Sequence, residues 1–585
     1  MSVNFPARRG SHFAGDGAHR GPVMSRRNLL KLGAGTAAAA TAAYGLDRTI
    51  ARPSTRPIGT LDSQGTRPVR NLSIVGTDGW VSFPPDAAPA GDIWPDKFAP
   101  ILYKRDLYVF GFAVGGRFAT PNRLEWADVF NGAYGTQAAN IGGLAALKNR
   151  ANFSAPILYY HEGDDVRITL WTSGMGNRPD IVDPHTLHWH GFPNQIPYFD
   201  GVPNDSLAVP IGSNLVYRYL PYKGMAGSYM WHCHVSDAEH VQMGLQGIVF
   251  IRPYQNYGTS DGIPLTRAAY LAMIEAGLNP PALPNPSPMG YAFNDGVNPY
   301  GAGYVLGQQY ATGSTAYDRE FAFILDEIDA RVHWDDAHLQ EQDFSEYAPK
   351  FSTMNGRAWP DTIKPNWDVS ITDPDPARVD KFNNPFVYNI ATVDQNTPGT
   401  NAAPVYLLNK STDPDFIRLG SQPWSSLIQA NAGETILLRF SNLGYQEHSM
   451  QLSGLPFLVI GEDAKNLLQG RDGYEENPNP SDLGASPLTA KRSNISFKAY
   501  STALGPAESR EVLVRIPLDA APTGNDKYTV FEFFDRNDVT NTNSTSGKQL
   551  VGGMRTQLHV FPPGTLPAQQ YPQQVFNPNH AYPVA

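Results

Sequence analysis

Gly163-Asp-Asp-Val-Arg-Ile-Thr-Leu170 is matched in the second half of the chain by Gly433-Glu-Thr-Ile-Leu-Leu-Arg-Phe440. Each is a glycine-led turn running into alternating apolar residues, the pattern of a half-buried β-strand. Two further pairs follow in the same order. His185-Thr-Leu-His-Trp-His-Gly191 is echoed by His448-Ser-Met-Gln-Leu-Ser-Gly454, and Ser228-Tyr-Met-Trp-His-Cys-His234 by Lys527-Tyr-Thr-Val-Phe-Glu-Phe533. Each half then closes on a Gly-containing strand, at 244–252 and 552–561. Three motifs in one order in both halves predict two copies of one β-sandwich.

Working outward, alternating runs at 103–114, 166–171, 214–219, 228–232 and 247–251 fill the first copy, and 320–325 opens the second. The expected organisation is a signal region at 1–50, an N-terminal extension at 51–100, the first sandwich at 101–254 and the second at 319–561. Between the sandwiches, 255–318 carries Pro280, Pro281, Pro284, Pro286 and Pro288 without periodicity, and reads as a linker or wrapping loop. The tail, 562–585, is rich in Pro and Gln and reads as extended or disordered.

Composition agrees with an all-β chain. Of 585 residues, 41% are hydrophobic and 11% aromatic, enough for packed cores, while charge is only 17% and Gly (54) and Pro (50) supply many turns. A net charge of -10 argues against nucleic acid as a partner, since phosphate binding needs a concentrated basic surface. A single cysteine excludes an internal disulfide.

Ser25-Arg26-Arg27-Asn28-Leu29-Leu30-Lys31, followed by an Ala/Gly-rich stretch from Leu32 to Leu46, resembles the twin-arginine signal of the bacterial Tat pathway. That route exports folded, often cofactor-loaded proteins, so the expected location is periplasmic, cell-envelope or secreted. Met24 just before the signal suggests a later true start, and Ala40-Thr41-Ala42 a weak cleavage site. A chain cut near residue 50 would carry -15. No segment has the ~18 apolar residues that span a bilayer, so no stable membrane span is expected after signal removal.

Six of the fourteen histidines fall within residues 185–240, around the only cysteine. Alternate residues of a strand face one side. His188 and His190 therefore point together, as do His232 and His234, with Cys233 aimed at the opposite face. Imidazole with thiolate suits copper, and a trigonal His2Cys site with a weak axial Met is the blue-copper arrangement. Its ligands here would be His185, Cys233, His240 and Met243. Zinc also takes Cys and His, but rarely with four more histidines alongside.

His185-x2-His188-x-His190-Gly191 and His232-Cys233-His234-x5-His240-x2-Met243-Gly244 resemble the copper motifs of multicopper oxidases, laccase-like proteins built from cupredoxin domains. The resemblance covers roughly residues 100 to 561 and is concentrated in these motifs. It implies two cupredoxin-like Greek-key sandwiches with long loops and a Pro-rich linker. It also implies a type 1 copper at His185, Cys233, His240 and Met243 that takes electrons from a small-molecule or metal-ion donor. His188, His190, His232 and His234 would face a type 2/type 3 cluster where dioxygen is reduced. Asp200, followed by Gly201, stands where the family has an acid beside the cluster, a proton donor; it reads equally as a turn-forming Asp-Gly.

The second copy departs from the pattern. By alignment Gln451 and Ser453 replace one histidine pair, Phe531 and Phe533 the other, and Glu532 the cysteine; His448 alone survives, at a type 1 position. One chain thus supplies only four cluster histidines by motif. Either a homo-oligomer pools ligands to complete the cluster, or the cluster is absent or altered. His333 and His338 read as surface histidines. Asp237 and Glu239 flank His240; they read as a solvated loop, with attraction of a cationic donor as the alternative. Met225 and Met230 read as packing residues. The leading reading is an exported copper oxidoreductase that passes electrons to oxygen. The alternatives are a mononuclear blue-copper electron carrier or copper buffer, and a non-catalytic envelope protein on the same scaffold.

Overall fold

The computed structural model describes residues 69–84, 96–99, 106–114, 151–193, 197–260, 263–264, 266–275, 279, 288–295, 310, 313–349, 351–366, 415, 418–467, 495–543, 551–569 and 572–576. The signal region lies outside them. Eight strands build the first sandwich: Val69–Ser82 (β1), Asp106–Val114 (β2), Leu158–His161 (β3), Asp165–Thr172 (β4), His188–His190 (β5), Asn214–Tyr219 (β6), Gly227–His232 (β7) and Gln246–Arg252 (β8). One sheet runs β2-β1-β4-β6 and the other β3-β8-β7-β5. The first strand, β1, falls in the segment read as an N-terminal extension. It pairs with β4 in parallel and β2 antiparallel, so the sandwich takes in residues from 69 onward. A short helix, Asp237–Met243 (α1), fills the β7–β8 connection.

The segment read as a linker has structure of its own. It contains Thr259–Ser260 (β9), Ile263–Pro264 (β10), the helix Arg267–Glu275 (α2), Gly290–Tyr291 (β11) and Ala316–Tyr317 (β12). Met289, Phe293 and Tyr317 pack on Leu437 and Leu513, on one face of the second sandwich.

That sandwich comprises Arg319–Ile328 (β13), Phe351–Met354 (β14), Ile428–Asn431 (β15), Thr435–Asn442 (β16), His448–Leu452 (β17), Phe457–Glu462 (β18), Lys465–Asn466 (β19), Phe497–Ala499 (β20), Ser501–Leu504 (β21), Ser509–Arg515 (β22), Thr529–Asp535 (β23) and Arg555–Phe561 (β24). A helix, Ala330–Ala337 (α3), follows β13. The sheets run β14-β13-β16-β22-β18-β19, with β20 on β18, and β15-β24-β23-β17-β21. The internal repeat is visible in this order. The run β14-β13-β16-β22 repeats β2-β1-β4-β6, and β15-β24-β23-β17 repeats β3-β8-β7-β5, down to the parallel pairs β13/β16 and β15/β24.

Each sandwich has its own core, one around Trp189, Trp231 and Leu170, the other around Phe323, Phe440 and Phe533. The outer face of the β3-β8-β7-β5 sheet then packs against the second sandwich. Met230, Ile248 and Phe250 meet Ala322, Ile324, Trp424 and Leu443. Glu320 in this interface is fully buried between Arg252 (2.6 Å) and Arg439 (2.7 Å). Two guanidiniums on one carboxylate satisfy charges that would be costly to bury alone.

The tail is ordered where it is described, contrary to its compositional reading. The side-chain oxygens of Gln569 and Gln573 accept from the N–H groups of Glu320 and Ala322, each at 2.6 Å. Val575 and Phe576 are buried. These glutamines stand in for a neighbouring strand along the part of β13 that β14 does not pair, satisfying buried backbone donors. Among the described residues no helix is long and apolar enough to cross a membrane.

Candidate metal centre

The centre lies where β5, β7 and α1 converge in the first sandwich. Pleating sends Trp231 and Cys233 into the core and His232 to the outer face. The loop after β7 ends at Ser236, in the left-handed region, and turns into α1, which is capped by Gly244 (φ 114). Leu245 N–H donates to His240 O, and Cys233 N–H to Leu245 O, clamping the helix onto the cysteine strand. His240 and Met243 are three apart on α1 and so share a face.

His240 Nδ1 is 3.3 Å and His185 Nδ1 3.9 Å from Cys233 Sγ, and all three residues are buried. Met243 is fully buried in the same cluster. Burial pushes both imidazoles down, His240 to about 4 and His185 well below the usual range, so each is neutral and offers a lone pair. Burial raises the thiol to about 11, so metal binding must expel its proton. The Nε2 atoms of His185 and His240 have no hydrogen-bond partner. Two neutral imidazoles aimed through Nδ1 at one sulfur are a donor set that fits copper.

Two supports for this site carry no motif signal. Thr186 N–H approaches Cys233 Sγ at 3.4 Å, and Thr186 Oγ1 accepts from His234 N–H at 2.9 Å. Gly76 of β1 backs onto the His185 ring, and any Cβ there would collide with it. The Ile-Val-Gly-Thr run at 74–77, a glycine inside a strand, was the available clue.

On the other side of the Cys233 backbone lie four imidazoles. The His188 ring centroid is 5.6 Å from that of His190 and 5.3 Å from those of His232 and His234. Ligand atoms of His188, His190 and His232 lie within 4.8 Å of one another. His188 Nδ1 contacts Asp200 O at 2.7 Å and His232 Nδ1 contacts Cys233 O at 2.9 Å, which leaves Nε2 of each for the shared space. Burial lowers His188, His190 and, to about 3, His232, so these rings are neutral too. Asp200 is thus beside the quartet through its carbonyl, with its carboxylate 3.7 Å from His188 Nδ1. Gly201 (φ 79) packs against Leu187 O so closely that only glycine fits, so the dipeptide is also a required turn.

Elsewhere the structure corrects the alignment. His232 pairs with His188 and Gln246 in the first copy, where Cys233 N–H bonds Leu245 O. In the second, Phe534 pairs with Gln451 and Arg555, and Asp535 N–H bonds Met554 O. Both registers place Asp535, not Glu532, at the cysteine position, with Phe534 and Arg536 in place of the flanking histidines rather than Phe531 and Phe533. Glu532 sits on the outer face, paired with Arg555 at 2.8 Å, whereas Phe533 is in the core. His448 is held between Asp535 (2.8 Å) and Glu327 (3.0 Å). His333 is not on the surface: it is fully buried, 2.6 Å from Tyr108 O. His338 is half-buried, 3.0 Å from Asp96 and stacked on Trp334. Neither reaches the quartet.

Residues 146–256 match the family model described as multicopper oxidase. Over 108 residues the chain is 37% identical to multicopper oxidase VdtB of Byssochlamys spectabilis, covering 18% of this chain and 14% of that protein. Over 136 residues it is 29% identical to laccase 1 of Metarhizium acridum, covering 23% and 19%. The chain therefore matches less than a fifth of the length of either relative. Among solved structures it is similar to the blue copper oxidase of Nitrosomonas europaea (14% identity, 84% of this chain and 86% of that chain, TM-score 0.42). It is also similar to the laccase of Botrytis aclada (11% identity, 84% and 52%, TM-score 0.38). Residues 146–256, which hold the histidine and cysteine motifs, are thus similar to a domain of the multicopper oxidases, a family whose metal is copper.

Proposed function

We propose that this protein is an exported copper-dependent oxidoreductase that takes single electrons from a small donor and passes them to dioxygen. The observation that carries the reading is the placement of Cys233. Its sulfur faces His185 and His240, while its backbone neighbours His232 and His234 turn to the opposite side, beside His188 and His190. Copper, when bound, supplies one-electron exchange at the first group and oxygen reduction at the second.

The chain's own residues set the conditions. Burial of His185, Cys233 and His240 excludes water from the first group. The tripeptide at 232–234 gives the shortest covalent path between the two groups. Asp200 O orients His188, and its carboxyl group, 3.7 Å from that ring, is the group placed to pass protons to the quartet. The twin-arginine motif at Arg26-Arg27 supports export by the Tat route. In this reading an oligomer that pools the quartets of two subunits completes the cluster.

The replacement of the second copy's histidines by Gln451, Phe534 and Arg536 favours a second reading, a mononuclear blue-copper electron carrier that does not reduce oxygen. Oxygen uptake separates the two. The His188→Ala/His190→Ala double variant should lose uptake and keep the blue colour. Uptake equal to wild type in that variant would contradict a role for the quartet, and blue wild-type protein without uptake would favour the electron carrier.

A further inference from the structure

The helix that carries His240 is too short to hold its own shape. α1 has seven residues, and its N-cap, Ser236, makes no side-chain cap hydrogen bond. Helices below about 12 residues are marginal alone in water, so α1 depends on tertiary contacts. The second sandwich supplies them. Tyr445, in the turn between β16 and β17, donates its hydroxyl to Ala238 O at 2.6 Å. The Gln242 N–H, one turn further along α1, bonds the same hydroxyl. One oxygen from the other sandwich thus spans the turn on which His240 sits. The Gln242 side chain is fixed as well. Its Nε2 donates to Glu327 O at 3.2 Å and lies 3.4 Å from His333 Nε2, while His333 Nδ1 contacts Tyr108 O at 2.6 Å. Just beyond α1, the Gln246 side chain donates to Asp326.

The part of the second sandwich that makes these contacts is organised around Glu327. One carboxylate oxygen accepts from the N–H groups of Tyr445 and Gln446 and from the Tyr347 hydroxyl; the other lies 3.0 Å from His448 Nε2. A Cβ at Gly444 would strike the same carboxylate, so the turn at 444–446 is moulded on it. Asp535 holds His448 from the far side at 2.8 Å. We propose that this set clamps α1 through two positioning residues, Tyr445 and Gln242, and so fixes His240 against Cys233. Leu245 ties the C-terminal end of α1 to the Cys233 strand, and the Tyr445 hydroxyl ties its first turn to the second sandwich. The sandwich without the copper motifs is then the support of the one that has them. The clamp on α1 stands without a metal; its effect on copper rests on the function proposed above.

The test is thiol labelling of the full-length, metal-free protein with 5,5′-dithiobis(2-nitrobenzoate) at one fixed pH. Cys233 is the only cysteine and is buried against His240, so its labelling rate reports the opening of α1. Tyr445→Phe, which keeps the ring and removes the bridging hydroxyl, should label at least five-fold faster than wild type. Gln242→Met, close in volume but without the donor, should do the same. Tyr528→Phe, at a tyrosine stacked on His559 of β24, should label at the wild-type rate. In copper-loaded protein, Tyr445→Phe should change the copper(II) hyperfine splitting in electron paramagnetic resonance at unchanged copper content, and Tyr528→Phe should not. Labelling of Tyr445→Phe and Gln242→Met within two-fold of wild type, or an equal acceleration in Tyr528→Phe, overturns the clamp. Faster labelling in the two α1 variants of a protein that takes up no copper would refute the copper reading and leave the clamp standing.

Discussion

Asp535 occupies in the second sandwich the register position that Cys233 holds in the first, and it bonds His448 at 2.8 Å as the cysteine faces His185. Glu327 completes the exchange from the opposite side of the ring at 3.0 Å. Where the first copy sets a thiol against an imidazole, the second sets a carboxylate against one. The two carboxylates outweigh burial and raise His448 to about 9, so it is an imidazolium at neutral pH.

Stability should follow that proton. The folded-state value lies above the unfolded one, so the contribution is full below about pH 6.5 and is lost as pH rises through about 9. It amounts to about 3 kcal/mol on the scale of one pKa unit per 1.4 kcal/mol. Urea unfolding of wild type and Asp535→Asn across pH 6 to 10 should show a gap that closes toward the alkaline end. A gap that widens there would contradict the assignment.

Gly76→Ala should disturb copper binding from a distance. The added methyl collides with the His185 ring, and overpacking of this kind costs about 1–3 kcal/mol. Reduced blue absorbance with unchanged far-ultraviolet circular dichroism is the expected result.

Glu320→Ala should destabilise the protein by about 3–5 kcal/mol, because it leaves Arg252 and Arg439 buried without their shared carboxylate. Denaturant unfolding followed by tryptophan fluorescence measures this. A loss below about 1 kcal/mol would mean that water reaches the interface.

Thr186→Val should cost about 1–2 kcal/mol by removing the acceptor of the His234 N–H. The blue colour should persist, since the N–H facing Cys233 Sγ belongs to the backbone. Thermal unfolding and the visible spectrum together check both halves of that statement.

The repeat and the first-copy constellation were legible because strand pleating and ligand spacing are local. Parity alone separates Cys233 from His232 and His234. The register of β23 was not legible. Phe531, Phe533 and Phe534 satisfy apolar alternation in two frames, and only the pairing with β17 and β24 decides between them. Glu532 looked like the cysteine's replacement although it faces outward. Tail residues such as Gln573 gave no signal, since a glutamine that completes a strand edge has the composition of a disordered one.

The most direct test of the central claim is the copper content and visible spectrum of the purified protein beside its Cys233→Ser variant. The account predicts at least one copper per chain with an intense blue thiolate charge-transfer band in wild type, and no such band in Cys233→Ser. A copper-loaded wild type without the band, or a variant that keeps it, would contradict the assignment of Cys233 as the copper thiolate.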